Sequence, residues 1–201
     1  NQRTEEGAGG YWLTIRPSGA ARTVIGAGTV LAKINGSDRV LIDGALSGTE
    51  RSLTFNSTSV VDNSVALCIG SLGPSQGANN VRIRNVIIQT GTKGSAALTT
   101  FAIFVGHSSG AGFGPDNDGF RLENAQIRRA SVGLQAAGDP SGVLDGLQLL
   151  DNDFGDDSVV DSIGRRGLVL LQADGALVRR NQVRNIELAD NNPHGMLLGT
   201  G

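Results

Sequence analysis

Five residues with acidic or amide side chains stand just ahead of short apolar stretches: Asp38, Asn79, Asp118, Asp145 and Asp174, in SDRVLI, NNVRI, NDGFRL, LDGLQL and ADGALV. Stacked at one position of a repeating fold, the carboxylates of Asp118, Asp145 and Asp174 would lie about 5 Å apart, close enough to share a Ca²⁺ ion or raise one another's pKa. Asp116 would add a further oxygen ligand. The plainer chemistry is backbone hydrogen bonding, in which each Asx side chain closes its own turn and Gly119, Gly146 and Gly175 relieve the φ requirement. That role is favoured, because the chain lacks the complete calcium loop with a terminal Glu. No other cofactor is expected. Arg165–Arg166 and Arg179–Arg180 are the basic pairs that could bind an acidic substrate or supply a cationic base for β-elimination. Solvated turn charge is their simpler role.

None of these groups can cooperate unless the backbone gathers them, and the repeats say how it does so. The first apolar residues after the Asx positions are Val40, Val81, Phe120, Leu147 and Ala176, spaced 41, 39, 27 and 29 residues apart. In the last four units a second apolar residue follows seven positions later (Ile88, Ile127, Phe154, Val183), after a polar kink at Asn85, Asn124, Asn152 or Asn181. A further apolar segment comes next: LTF at 53–55, AIFV at 102–105, SVGL at 131–134, GLVLL at 167–171 and GMLL at 195–198. Upstream, WLTI, TVI and TVLAKI form a divergent terminal unit.

Each segment is short, alternating or β-branched, and bounded by Gly, Asn, Asp or Ser, which predicts strands separated by turns. Strands that recur at this period and never at hairpin distance must stack parallel to their predecessors, so the chain is expected to be a single-domain parallel β-helix of about seven coils over residues 1–201. Residues 91–117 are the longest departure from the period and are expected to be an insertion loop. With 30 glycines and only eight aromatic residues, the composition suits a narrow aliphatic core.

The stretches WLTIRPSG, SDRVLIDGALSGTERSLTFNST and GANNVRIRNVIIQTG resemble, in the same order, the right-handed parallel β-helix repeat proteins secreted by Bacteroidetes and related bacteria. The resemblance spans about residues 11–200 and implies an all-β, right-handed single-stranded helix of the pectate-lyase-like type, in an extracellular or cell-surface protein. A second resemblance is shorter. PDNDGF at 115–120, GDDSV at 155–159 and HGMLLGTG at 194–201 are similar to three ordered motifs of polygalacturonases, which implies Asp118, Asp156 and Asp157 as the acids and His194 as the histidine. An inverting hydrolase needs its carboxyls about 6.5–9.5 Å apart around one sugar. The repeat register opposes that: Asp118 precedes the first strand of a unit, Asp156 and Asp157 follow Phe154 in a turn, and His194 precedes the second strand of a later unit. These groups are expected to face different sides.

Net charge is −2 and pI about 5.6, so no basic field awaits nucleic acid. Cys68 is the only cysteine, in the apolar run ALCI, and reads as a small core residue. No apolar stretch reaches the roughly 20 residues of a membrane span, and the polar start without Met suggests a processed or excised segment. GAGFG at 110–114 has no helix after it to hold a phosphate, and His107 has no acidic partner nearby in sequence. The expected function is a structural or adhesive surface module that contacts polysaccharide. A polysaccharide lyase or glycoside hydrolase is the alternative. The rod lacks evident caps, so contact with further coils or subunits is expected at its ends. Tyr11 and Trp12, adjacent at one end, are the only Tyr and Trp, which weakens the case for a sugar platform.

Overall fold

The computed structural model describes residues 10–95, 97–110, 112–187 and 193–199, and among these it has no helix. Coil one comprises β1 (Leu13–Ile15), β2 (Arg22–Gly26) and β3 (Val30–Asn35), and coil two β4 (Val40–Asp43), β5 (Leu53–Ser57) and β6 (Ser64–Ser71). Coil three has β7 (Arg82–Arg84), β8 (Val86–Gln89) and β9 (Thr100–His107), and coil four β10 (Arg121–Glu123), β11 (Gln126–Arg128) and β12 (Ala130–Ala137). The last two coils each open with an extra two-residue strand. Coil five is β13 (Leu144–Asp145), β14 (Gln148–Leu150), β15 (Asp153–Phe154) and β16 (Ile163–Leu171). Coil six is β17 (Ala173–Asp174), β18 (Leu177–Arg179), β19 (Gln182–Val183) and β20 (His194–Gly199).

Strands stack by position within the coil. Sheet one is β1-β4-β7-β10-β14-β18, sheet two is β2-β5-β8-β11-β15-β19, and sheet three is β3-β6-β9-β12-β16-β20. The registered strand pairs are parallel throughout, so the described residues form a parallel β-helix of six coils, each giving one strand to each of the three long sheets. The register matches the repeat alignment: Leu41 pairs Arg82, Arg82 pairs Arg121, Arg121 pairs Gln148 and Gln148 pairs Leu177. Ile88, Ile127, Phe154 and Val183 form one column of sheet two, as the seven-residue offset requires, and Phe55 of coil two joins it. Upstream, β1 to β3 are the divergent terminal coil.

Alternation fixes the interior. Val40, Val81, Phe120 and Leu147, with Ile42, Ile83, Leu122 and Leu149, point inward from sheet one and are buried. Residues between them point out. Sheet three is covered on both sides: a separate cluster of Val65, Cys68, Phe101, Phe104, Val132 and Val169 lies apart from the main core. The turn after β9 closes over part of it. Lys33 Nζ donates to Ser108 O at 2.6 Å, and Gly110 sits so close that an added Cβ would be 3.4 Å from Val30 and 3.5 Å from Val65. Burial pushes the Cys68 thiol up to about 11 despite Lys33 nearby, so it is an inert packing group.

One expectation changes. LTF lies in β5 of sheet two; the coil-two counterpart of AIFV is VALCI in β6, since Leu67 pairs Ile103. Within 91–117, the segment Thr100–His107 is strand β9 of sheet three. Gly119, Gly146 and Gly175 sit at coil corners with positive φ, whereas Gly133 and Gly167 lie inside sheet three, where they face the core and their backbones pass too closely for a Cβ.

Candidate functional site

The Asx positions stack as aligned, at the corner leading into sheet one. Asn79 N–H donates to Asp38 Oδ1 (2.9 Å), Asp118 N–H to Asn79 Oδ1 (3.0 Å) and Asp145 N–H to Asp118 Oδ1 (3.0 Å). These side chains therefore bond the next coil's backbone rather than their own turn, because the following residue turns the corner with positive φ and leaves the neighbouring N–H aimed across the coils. Only Asp174 bonds locally, accepting Gly175 N–H at 2.7 Å. Arg39 and Asn80 adopt the same left-handed conformation (φ 54° and 56°) as Gly119, Gly146 and Gly175.

Asp118 is the perturbed member. Partial burial raises its pKa, the Asp145 N–H pulls the other way, and repulsion from Asp145 and Asp116 adds to the rise. Asp116 is occupied elsewhere: its Oδ2 accepts Ser75 N–H at 2.6 Å, and its Oδ1 lies against Gly142. Among the described residues no three His, Cys, Asp or Glu side chains gather to hold a metal ion. Asp118, Asp145 and Asp174 thus stand in one column, in which Asp118 and Asp174 accept backbone N–H groups, and Asp116 stands outside it against Ser75.

The corner between sheets one and two carries the amides, in two ladders instead of one. Asn85 and Asn124 align, and Asn124 Nδ2 donates to Asn85 Oδ1 at 2.8 Å. Asn152 and Asn181 sit one residue further on, with Asn152 Nδ2 donating to Asn181 Oδ1 at 2.9 Å. The left-handed corner passes from Asn85 and Asn124 to Asp151 and Arg180, so matching by residue type alone slips the register. Asn85 Nδ2 also donates to Asp43 at 2.8 Å. Burial opposes ionisation of Asp43, but Asn85, the Ala45 N–H and Arg84 together hold its carboxyl below the usual range.

The residues implied by the polygalacturonase resemblance are not brought together. Asp118 occupies the corner entering sheet one, Asp156 and Asp157 lie in the passage from sheet two to sheet three, and His194 opens β20 in register with Arg166. Asp156 accepts from Gln126 (3.1 Å) and pairs with Arg128 (3.5 Å), while Asp157 pairs with Arg184 at 2.8 Å. The arginine pairs also diverge. Arg165 donates to Thr99 at 2.9 Å beside sheet three, whereas Arg179 ends β18 and Arg180 forks onto Asp151 at the amide corner.

What sequence reasoning missed is on the outer face of sheet one. Trp12, Leu41, Arg82, Arg84, Arg121 and Glu123 line a groove of about 190 Å³ there. The Trp12 ring, 40% exposed, lies beside Arg82, whose Cζ is 4.7 Å from the ring centroid. Arg84 pairs with Asp43 at 2.9 Å and Arg121 with Glu123 at 2.7 Å. Arg82 has no carboxylate partner among the described residues. The signal was available: the repeat register that places Val81 and Phe120 inward necessarily places Arg82 and Arg121 outward in one column. Compared with family models, curated proteins and solved structures, the chain matches none.

Proposed function

We propose that this chain is a module of an extracellular or cell-surface protein of the secreted right-handed β-helix repeat type, with a structural and adhesive role, and that it contacts a polysaccharide without cleaving it. The observation that carries this reading is the outer face of sheet one: six parallel strands present a continuous surface at polymer scale, with an aromatic and cationic groove upon it. The separation of Asp118, of Asp156 with Asp157, and of His194 to different parts of the coil supports contact over hydrolysis. Exposed apolar side chains at the two ends, Leu13 and Ile15 in coil one and Met196 and Leu198 in coil six, support stacking against further coils or subunits.

The test is native electrophoresis through gels containing acidic or neutral polysaccharides, run beside assays for reducing ends and unsaturated products. Retardation without product formation is expected. Turnover that disappears in Asp118→Ala would establish the enzymatic alternative, and migration unaffected by every polysaccharide would reject the glycan-contact reading.

A further inference from the structure

We infer that the groove over sheet one binds a sugar unit carrying a single acidic group, with the acid on Arg82 and the ring on Trp12. This rests on the glycan-contact reading above and adds the ligand's chemical class and its place.

The argument is one of charge and shape. Three guanidiniums line the groove. Arg84 answers Asp43 at 2.9 Å, a carboxylate that Arg16 also approaches at 3.8 Å, and Arg121 answers Glu123 at 2.7 Å, so two of the three already face a carboxylate. Among the described residues Arg82 has no carboxylate and is held against the Trp12 ring, at 4.7 Å, and a cation–π contact orients a guanidinium without neutralising it. Arg82 therefore offers the groove a guanidinium that no described carboxylate answers, with fork geometry suited to two oxygens of one anionic group. A ligand bearing several clustered charges would meet Glu123.

Shape narrows the class further. Leu41 and the exposed part of Trp12 give the groove an apolar wall beside that charge. A pyranose presents a C–H face and can carry one carboxylate or one sulfate, which are the two sources of the same chemistry. The groove is also open along the coil axis: Arg82 and Arg121 occupy successive coils of one column, about 4.8 Å apart, so neighbouring sugars of a chain can continue past it. Arg165 and Arg166, the pair singled out by sequence, lie on the sheet-three side and take no part.

Trp12 is the only tryptophan in the chain, so its fluorescence reports this groove and nothing else. Titration with oligosaccharides of galacturonate, of a monosulfated galactan and of neutral galactan is expected to shift Trp12 emission saturably with one or both acidic series and not with the neutral one. Whichever acidic arm responds identifies the source. Arg82→Gln, on the exposed face and with circular dichroism confirming the fold, should weaken that response about tenfold, and added salt should weaken it in the wild type. Equal responses to acidic and neutral sugars would overturn the inference. So would acidic binding unchanged by Arg82→Gln. If gels still retard the protein while Trp12 is silent, the inference fails and the glycan-contact reading stands; if neither responds, both fail.

Discussion

Asn85 holds the first amide corner through backbone and side chain together. Its φ is 56°, its amide donates to the buried Asp43, and its oxygen accepts from Asn124. Asn85→Ala would place a Cβ-bearing residue with no turn-closing group in left-handed conformation and strip Asp43 of a partner, which we expect to cost about 2–4 kcal/mol in urea unfolding. Asn85→Gly relieves only the backbone part and should recover about 1 kcal/mol. Asp118 behaves oppositely. Its folded pKa lies above its unfolded one, so the native state holds the extra proton between the two values and stability falls as pH rises through that window. Asp118→Asn keeps the oxygen that accepts Asp145 N–H, as Asn79 does one coil earlier. It should raise the thermal midpoint by about 1–3 °C near pH 7 and give no gain near pH 3, below the ordinary carboxylate value. A gain that persists at low pH would place its cause outside this carboxylate column. Asp118 was legible as a ladder member because its spacing repeats; that its oxygen serves the next coil was not, since hydrogen-bond direction depends on corner dihedrals that residue type does not encode.

Elements were more legible than residues wherever columns repeat. Phe120 over Val81, and Phe154 between Ile127 and Val183, follow from constant offsets. Asn152 shows the limit: its identity matches Asn124 but its coil places it one position later, against Ala125. The inner column of sheet three was also hidden. At Gly133 a Cβ would lie 2.5 Å from Gly167 O, 2.8 Å from Ile163 Cδ1 and 3.1 Å from Phe154 Cδ1. Glycine there makes room for Phe154, among the largest fully buried side chains, inside a coil only 27 residues on from its predecessor. Gly133→Ala should therefore destabilise by about 2 kcal/mol or more, seen as a lower urea midpoint, although alanine normally favours a strand position over glycine. A neutral or stabilising effect would show that the column has slack. Trp12 was legible only as one of two adjacent rings at one end; its contact with Arg82, two coils on, depends on a register that a count of aromatics does not carry.

At the scale of the whole molecule, the two ends are complementary in register. A second copy set head to tail would continue the inner columns, laying Ile15 against Val178 and Val24 against Val183, apolar on apolar. Leu13 is 60% and Leu198 62% exposed, and the outer edges of β1 and β18 have no partner strand among the described residues. Stacking of this kind does not close on itself, so association should grow with concentration. Light scattering is expected to show that growth, and Leu13→Lys combined with Leu198→Lys should suppress it while leaving the circular dichroism spectrum unchanged. A monomer at every concentration would reject end-to-end association between copies.

The Asx and amide ladders have a mechanical consequence. Both run from coil to coil, as do the sheet hydrogen bonds, so tension applied between the ends of the rod acts along them. Linked in series, all coils carry the same load and the weakest interface opens first, which turns the molecule into a series of fuses. Each coil spans 27 to 41 residues and would pay out roughly 90–140 Å of slack as it opens. A rod built this way yields in steps under load, lengthening instead of letting go.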